Sequence, residues 1–447
     1  MKRHLVALLL SIALLAAQLA PPCAAQQPAR IWLERPSLLL TQDMSRHQIR
    51  TVLDQLWAQD DGQEDFASWG PLREPREGEI PVYTLGDLAR IGSGDTCTAG
   101  HTWNLTSSYI LMSDIDAAQT DDWEKGWSPI GWPLDEEGNW NGDLRFSGRL
   151  DGNGFAIIGL RSDHPEQPYQ GLFGRTTADA EIRNLILTDA HITGKQYVGA
   201  LAGYNEGTVE SVYVDCTVSG TGVGIGGLIG WNTAAIRTSR AAGEVIGGVH
   251  TGGLIGHSVF GEVAECSSTA AVHSQGHCTG GLIGYCSRTA VERCHGAGDV
   301  FADSNSSGGL VGEFNRGGLI ADSCATGSVV GAARVGGLVG LMINGYGDQL
   351  TISRCYSAGS VTGSPDAGGL IGKQEAGYGG SLARNEVTHS YWDVEASGQP
   401  SSDGGTAATT ASMMRQCTYE GWDFDLVWSI DEGEVYPRLR SLATPEP

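Results

Sequence analysis

Four tryptophans and a run of acidic residues share one stretch of this 447-residue chain. Trp123, Trp127, Trp132 and Trp140 could stack on sugar rings, because an indole has a flat apolar face and one hydrogen-bond donor. Neighbouring carboxylates and amides would then supply acceptors and donors for the sugar hydroxyls. The same tryptophans would equally close the open end of an apolar core. Glycan contact and a structural lid are therefore the two interpretations of this loop.

The same loop alternates oxygen-bearing side chains of the kind that calcium binds. They are Asp135, Glu137, Asn139, Asn141 and Asp143. The run lacks a D-x-D-x-D-G pattern with a glutamate at the twelfth position, so a solvated loop is the simpler interpretation. No C-x-x-C with a partnering histidine occurs, which argues against structural zinc. The sequence thus predicts no metal site and no cofactor, with calcium in this loop as the alternative.

Hydrolytic chemistry would need two converging carboxylates, or a nucleophile with its base. Asp299 and Asp303 are the best-placed acidic pair, but the residues that match Asp299 in other repeats, Glu244 and Ser328, are typical of turns. No H-E-x-x-H zinc-protease motif and no Ser-His-Asp arrangement is recognisable. The sequence favours a protein without catalytic activity and leaves a carbohydrate-active enzyme, a lyase or hydrolase, as the alternative.

The N-terminus has the pattern of a secretory signal peptide. Lys2 and Arg3 precede an apolar run over residues 5–17, and small residues follow. No later stretch is long and apolar enough to span a bilayer. The formal charge of −24 argues against nucleic acid or an anionic membrane as a partner. We expect a secreted or cell-surface protein whose partner is an extracellular glycan or protein.

A repeat of about 28 residues organises the centre of the chain. Its signature is the peptide GG-L-(I/V)-G, with looser copies at Leu172 and Leu201. The strict copies carry their second glycine and their leucine at Gly227 and Leu228, Gly253 and Leu254, Gly281 and Leu282, Gly309 and Leu310, Gly337 and Leu338, and Gly369 and Leu370. Behind each copy, small or apolar residues recur at constant offsets, as in Val263, Cys266 and Val272. Function must therefore be sought on a repetitive scaffold.

Short apolar runs separated by Gly, Asn, Asp and Ser favour three brief strands per repeat over pairs of helices. The 65 glycines reinforce this, since each costs about 0.5 to 1 kcal/mol relative to alanine inside a helix. Stacked coils of such strands place leucine on leucine at about 4.8 Å. The glycine pairs suit a corner that needs positive φ or a close approach of two backbones. The predicted fold is all-β, a right-handed parallel β-helix of about eight or more coils with a cap at each end.

Five segments follow from this pattern. They are a signal peptide (1–25), an irregular acidic leader with a short helix candidate (26–79), an N-terminal cap with the first strands (80–160), the repeat coils (161–396) and a C-terminal cap or tail (397–447). The leader is a candidate docking segment within a larger surface assembly.

Ten cysteines include Cys23 in the signal peptide, which leaves an odd number in the exported chain. Cys266 and Cys294 fall at the same position of adjacent coils, where parallel Cβ vectors give poor disulfide geometry. We expect these two to form a reduced, buried ladder. Cys278 and Cys286 flank one glycine box and are the predicted disulfide pair.

The repeat resembles that of the GLUG-motif proteins of bacteria. The shared features are the glycine boxes, residues 355–361, the endings at 390–393 and 421–424, and a lead-in at 146–154. The resemblance implies an exported β-helical protein of the bacterial surface or its surroundings, in a family that includes adhesin-like proteins. The motif also occurs in immunoglobulin A peptidases, whose chemistry belongs to a separate H-E-x-x-H domain without a counterpart in this sequence. The predicted function is a surface adhesin or a binding scaffold for glycan or protein.

Overall fold

Parallel strands wind through most of the chain. A computed structural model of the protein describes residues 72–97, 100–132, 144–345 and 348–442. The predicted signal peptide, the leader up to residue 71, Trp140 and the acidic run considered for calcium lie outside the described residues. The described chain is all-β and forms a parallel β-helix of about ten turns, which confirms the predicted fold class.

The first strands already belong to the coil. They are β1 (Glu79–Val82), β2 (Ser108–Leu111), β3 (Ile115–Asp116), β4 (Arg149–Asp151), β5 (Ala156–Ile158), β6 (Arg161–Asp163), β7 (Phe173–Arg175), β8 (Glu181–Gly194), β9 (Ala202–Asn205) and β10 (Thr208–Gly220). β1 pairs with β2, β2 with β4 and β4 with β8, all in parallel. The segment predicted to hold the N-terminal cap and the first strands therefore contributes rungs of the helix.

The central coils are built from short strands in strict register. They are β11 (Val223–Gly226), β12 (Ile229–Asn232), β13 (Ala235–Arg237), β14 (Arg240–Gly247), β15 (Val249–Gly252), β16 (Ile255–Val259), β17 (Glu262–Ala264), β18 (Ser267–Ser268), β19 (Ala271–Ser274), β20 (Thr279–Gly280), β21 (Ile283–Glu292), β22 (His295–Gly296), β23 (Val300–Ala302) and β24 (Ser307–Gly308). Ile255 of β16 pairs with Ile229 on one side and with Ile283 on the other. Each repeat therefore lies directly above the next.

The last coils continue the same pattern. Their strands, with a final antiparallel pair, are β25 (Val311–Ala321), β26 (Cys324–Ala325), β27 (Val329–Val330), β28 (Val335–Gly336), β29 (Val339–Asn344), β30 (Leu350–Ser353), β31 (Tyr356–Ser357), β32 (Val361–Thr362), β33 (Ala367–Gly368), β34 (Ile371–Ala376), β35 (Asn385–Thr388), β36 (Tyr391–Asp393), β37 (Thr406–Ala408), β38 (Trp428–Ser429) and β39 (Arg438–Leu439). β37 pairs in parallel with β36 and adds the last rung.

Helices are few and short. They are α1 (Leu85–Arg90), α2 (Val394–Ser397) and α3 (Thr410–Met413), with 3-10 turns at Ala118–Asp122, Leu382–Arg384 and Gln416–Thr418. Thr84 and Asp87 form a capping box at the start of α1, and Leu85 and Leu88 are its buried residues. Among the described residues, the longest helix has six residues, so no helix is able to span a bilayer.

The repeat leucines fill the interior of the coils. All of them are completely buried: Leu228, Leu254, Leu282, Leu310, Leu338 and Leu370. The backbone N–H of Leu282 donates to the carbonyl oxygen of Leu310 at 3.0 Å, so equivalent residues touch from coil to coil. Burying a leucine contributes about 2 kcal/mol before chain entropy is subtracted. A single coil could not bury its own leucine, so the stability of each coil depends on its neighbours.

The second glycine of each box lies where two coils touch. A Cβ on Gly253 would stand 2.2 Å from the carbonyl oxygen of Gly281, and one on Gly281 would stand 2.2 Å from that of Gly309. None of these three glycines has positive φ. Of the two expected reasons for glycine, the close approach of two backbones is therefore the one that applies.

Positive φ occurs instead at the corner that precedes each box. A six-stranded sheet follows this corner along the helix and consists of β11, β15, β20, β24, β28 and β33. The residue four positions before the leucine has φ values of 56° at His250, 61° at Cys278 and 66° at Ser306. At one of these corners the His250 ring lies over the neighbouring strand, 4.7 Å from the ring of Tyr285.

Arg73 ties the end of the leader to the first coils. Its guanidinium hydrogen-bonds to Glu79 at 2.6 Å and to Asp151 at 2.7 Å. Burial alone would raise the pKa of Asp151, but hydrogen bonds from Arg73, Asn153 and Asn184 and the charge on Arg183 outweigh it and lower the pKa. Hydrogen bonds from Arg73 likewise lower the pKa of Glu79 against the effect of burial. Asp151 is thus an anchor between strands.

The C-terminal segment folds along the outer side of the last coils. Tyr356 and Tyr391 occupy one column of β31 and β36, and Trp422 and Trp428 cover them. The hydroxyl of Tyr356 donates to the carbonyl oxygen of Pro437 at 2.8 Å. The aromatic tail therefore covers one outer wall of the last coils, whereas β37 itself forms the final rung.

All nine cysteines in the described ranges are free thiols. The predicted disulfide between Cys278 and Cys286 is absent from this structure. Cys278 lies at the outer corner with its thiol 3.2 Å from Glu313, whereas Cys286 belongs to the interior core. Their side chains lie on opposite sides of the wall, which explains the difference. Cys266 and Cys294 are fully buried thiols on adjacent coils.

Candidate functional site

Three of the four candidate tryptophans line one cleft. Trp123, Trp127 and Trp132 border a cleft of about 460 Å³ whose opposite wall includes Ile91 and Leu105. Trp127 is buried and donates its indole N–H to the carbonyl oxygen of Leu172 at 3.1 Å. Its ring stacks on that of Trp123 with 6.1 Å between centroids, and Trp123 is 41% exposed.

Trp132 completes this group and is also fixed by the coil. Its indole N–H donates to the carbonyl oxygen of Pro168 at 3.2 Å, and its ring lies 6.3 Å from that of His164. Two of the three indole donors are therefore used inside the protein. Such contacts suit a lid, and Trp123 is the one ring of the three that is exposed.

Asp299 and two serines that follow a histidine in the sequence, Ser258 and Ser390, have structural contacts. The carboxylate of Asp299 accepts the backbone N–H of Ser328 in the next coil at 2.9 Å, as expected for a turn residue. Ser390 is buried and donates to the carbonyl oxygen of Thr388 at 2.9 Å. Ser258 is also buried and shares a hydrogen bond with Thr289 at 3.3 Å. Neither serine lies at a surface where a substrate could reach it.

A different set of side chains forms a continuous ring surface on the outside of the coils. We call it the aromatic face, and its members are Tyr169, Tyr197, Tyr204, Trp231, His250, His257 and Tyr285. One column lies three residues after the repeat leucine, on β9, β12, β16 and β21. The other lies on the corner turns. All but His257 are partly exposed.

The sheet geometry fixes the spacing of these rings. Tyr204, Trp231, His257 and Tyr285 are paired in register on successive strands. Coils repeat at about 4.8 Å, which matches the 4.5 to 7 Å separation that aromatic pairs prefer. The Trp231 ring lies parallel to that of Tyr204, with 5.9 Å between centroids, and 3.6 Å from that of His257. The strand column is thus an uninterrupted stack.

The corner column leans over the strand column and joins it. Tyr197 stacks on Tyr169 at 5.2 Å and meets Trp231 edge-on at 5.4 Å. His250 stacks on Tyr285 at 4.7 Å. The face extends over five coils, which corresponds to roughly 19 Å along the helix axis. This length suits an extended ligand.

The aromatic face is uncharged at neutral pH. Burial, and secondarily His277, lowers the pKa of His250 to about 4; burial, and secondarily His250, lowers the pKa of His257 to about 2. Burial also raises the pKa of Tyr204 and of Tyr285. The rings therefore present neutral imidazoles and phenols.

Charged pairs mark the two ends of this face. At one end the guanidinium of Arg175 lies 4.2 Å from the ring of Tyr204 and is paired with Glu206. At the other end Glu313 follows Tyr285 in the strand column, and the ion pair of Asp366 with Lys373, at 3.1 Å, lies two coils further on. An apolar ring surface between charged borders is typical of a ligand groove.

The repeat signature did not predict the aromatic face, because the signature consists of the invariant positions and these rings occupy variable ones. The useful signal lay in the variable positions three residues after and four residues before the leucine. In successive repeats the position three residues after the leucine holds Tyr204, Trp231, His257 and Tyr285. Exposed positions that keep aromatic rings in a repeat indicate a function rather than a packing need.

Comparison with known proteins finds partial relatives. No known family profile matches the chain. It is 35% identical over 156 residues to halomucin from Haloquadratum walsbyi and 35% identical over 128 residues to a protein from Evansella cellulosilytica described as a Gly-rich membrane protein. It is 31% identical over 163 residues to the immunoglobulin A1 protease of Streptococcus sanguinis.

These similarities cover limited parts of each chain. They involve 34%, 26% and 34% of this chain and 2%, 14% and 8% of the three relatives. This chain therefore spans a small part of the length of each relative. The sequence similarity supports a relation to immunoglobulin A1 protease-like proteins.

Two solved structures align with much of this chain at low identity. A candidate immunoglobulin A1 protease from Bacteroides ovatus aligns over 84% of this chain and 97% of its own, with 18% identity and a TM-score of 0.43. An immunoglobulin A1 protease aligns over 82% of this chain and 25% of its own, with 16% identity and a TM-score of 0.41.

Proposed function

We propose that this protein is an exported, non-enzymatic binding scaffold of the GLUG-repeat type, and that its aromatic face binds a neutral glycan chain at or near a cell surface. One observation carries the proposal. Rings from Tyr169 to Tyr285 remain in contact over five coils, and all of them except His257 are partly exposed to solvent.

The physical basis is stacking on a rigid template. The C–H faces of a sugar ring are apolar, so they gain by covering an aromatic ring while the hydroxyls stay in water. The β-helix holds Tyr204, Trp231 and Tyr285 in place through strand pairing, so little conformational entropy is lost on binding. A neutral face in a chain of net charge −24 favours uncharged glycans over acidic ones.

Export rests on the sequence and on the relatives. The signal-peptide pattern of residues 1–25 is the main support. The similarity to a protein described as a membrane protein agrees with a location outside the cytoplasm. Adhesion to a neighbouring surface would follow from binding its glycans.

A binding experiment tests this function. The mature chain is screened against a glycan array, and the strongest neutral ligand is measured by calorimetry. We expect Trp231→Ala and Tyr204→Ala to weaken binding at least about tenfold, because loss of a central aromatic anchor usually costs more than about 1.4 kcal/mol. Trp231→Phe keeps a ring and should retain most of the affinity.

Matched controls separate this face from other aromatic surfaces. Phe301→Ala removes a 40% exposed ring that stacks on His273 on a different wall. Trp123→Ala removes the exposed ring of the tryptophan cleft. Both should bind as the unchanged protein does. If Trp123→Ala alone lost binding, the glycan site would be the tryptophan cleft. If the protein cleaved the glycan, its function would be that of a carbohydrate-active enzyme and not that of a binding scaffold.

A further inference from the structure

Two histidines and a cysteine meet at the corner of two adjacent coils. The ligand atoms of His250, His277 and Cys278 all lie within 4.8 Å of one another. His250 and Cys278 hold the same position in consecutive repeats, four residues before the leucine, and both have positive φ. His277 precedes Cys278, and its carbonyl oxygen accepts the backbone N–H of His250 at 2.9 Å. The fold therefore brings together donors that are distant in sequence.

The surrounding side chains hold these donors in place. Nδ1 of His250 lies 2.9 Å from Nδ1 of His257, where one nitrogen donates and the other accepts. The His250 ring also stacks on Tyr285 at 4.7 Å. The thiol of Cys278 donates to the carboxylate of Glu313 at 3.2 Å. Metal-binding imidazoles and thiolates commonly have such outer partners, which fix ring orientation and receive protons.

We propose that His250, His277 and Cys278 form a binding site for a zinc-type transition metal ion, with the fourth coordination position open to water or an external donor. Two imidazoles and a thiolate are ligands that zinc accepts and that magnesium and calcium do not prefer. Tetrahedral zinc places its ligand atoms about 3.5 Å apart, so the side chains must close by roughly 1 Å. His277 is exposed and can make this movement.

This site goes beyond the proposed glycan binding and does not depend on it. The sequence predicted no metal site, because the expected zinc patterns have closely spaced ligands. Here His250 and His277 stand one repeat apart, and their proximity comes from the stacking of coils. Of the three proposed metal ligands, only His250 belongs to the aromatic face, and the tests at His277 and Cys278 leave that face unchanged, so each inference can fail separately.

Metal binding is measured on the mature full-length chain purified without chelators. After dialysis against zinc-containing buffer and then buffer alone, we expect one zinc ion per chain by elemental analysis. Cobalt added instead of zinc should give an absorption band from thiolate-to-metal charge transfer. Calorimetry with zinc alone then gives the affinity.

Neighbouring repeats supply variants that the corner tolerates. Cys278→Ser introduces the residue found at the matching position 306, and His277→Asn introduces the residue found at position 305. We expect each change to weaken zinc binding by at least about 10- to 100-fold, the range seen when even an outer partner is lost. Cys278→Ser should also abolish the cobalt charge-transfer band.

Two controls lie elsewhere on the molecule. His273→Asn changes a half-buried histidine on another wall, and Cys417→Ser removes an exposed thiol. Neither should alter zinc affinity, and circular dichroism should show that all four variants remain folded. Absence of zinc binding by the unchanged protein, or equal affinity in Cys278→Ser and His277→Asn, would overturn the proposal.

Discussion

Single atoms decide how closely the coils stack. In five of the six boxes the second glycine is needed because the carbonyl oxygen of the next coil occupies the space of a Cβ, as between Gly309 and Gly337 at 2.3 Å, and in the last box the indole of Trp392 occupies that space at Gly369. A methyl group there would push two rungs apart and weaken the strand pairing on either side. The glycine is thus a packing residue, although it carries no side chain.

Alanine at one of these glycines should destabilise the protein. We expect Gly309→Ala to lower the free energy of unfolding by about 1 to 3 kcal/mol, the usual range for overpacking. Gly86→Ala in α1 is the matched control, because the nearest atom to its Cβ would be 3.7 Å away. That change should stabilise by about 0.5 to 1 kcal/mol through helix propensity. Urea unfolding measures both, and equal midpoints would contradict this account of the glycine box.

Thiol reactivity should follow burial. Burial raises the pKa of Cys286 and of Cys324 to about 12, so neither forms the reactive thiolate at neutral pH. Cys97 and Cys417 are the two cysteines of the described chain that are not buried. An alkylating reagent should therefore modify these two in the native protein and the others only after unfolding. A pair that stays unmodified after unfolding without reductant would reveal a disulfide, and peptide mapping would show whether Cys278 is in it.

At the scale of strands and turns, the parallel β-helix was predictable and the aromatic face was not. Leu282 and Leu310 repeat identically, so their stacking follows from the parallel register alone. Tyr204, Trp231 and His257 differ in type and are separated by about one repeat, and they become neighbours only when coils stack. The corner turns add a second column of rings. Its positions do not repeat one residue type, so the sequence pattern did not indicate it.

The link between the leader and the first strands should weaken in acid. Because the folded-state pKa values of Asp151 and Glu79 are lowered, their ion pairs with Arg73 stabilise the protein above the unfolded-state pKa values of about 4. This contribution is lost as the pH falls through the lower, folded-state values. Asp151→Asn should therefore cost about 3 kcal/mol at pH 7 and should flatten the stability profile below pH 4.

A surface carboxylate provides the comparison for this acid effect. Asp121→Asn changes a side chain that is 75% exposed and lies 3.9 Å from Arg161. Its thermal unfolding should follow that of the unchanged protein between pH 7 and pH 3, because an exposed pair contributes little. If the thermal unfolding of Asp151→Asn also follows that of the unchanged protein, the ion pairs of Arg73 with Asp151 and Glu79 do not anchor the leader.

At the scale of the whole molecule, the coils form a one-dimensional array in which each turn contacts its neighbours. A defect should therefore weaken the structure locally, and its position should decide what is lost. Leu282 lies in the interior column between Leu254 and Leu310, in the middle of the array. Trp428 belongs to the C-terminal segment that covers Tyr356 on an outer wall.

Truncation at these two positions should give different patterns of hydrogen exchange. Leu282→Ala leaves a cavity that costs about 2 to 5 kcal/mol and should speed amide exchange in coils on both sides of the defect. Trp428→Ala removes a larger buried side chain, at a cost of about 3 to 5 kcal/mol, yet it should release only residues 409–442 and leave the central coils protected. Exchange measured by mass spectrometry distinguishes local from global loss. Uniform acceleration in both variants would mean that the coils unfold as one cooperative unit, and the neighbour-coupled description would then fail.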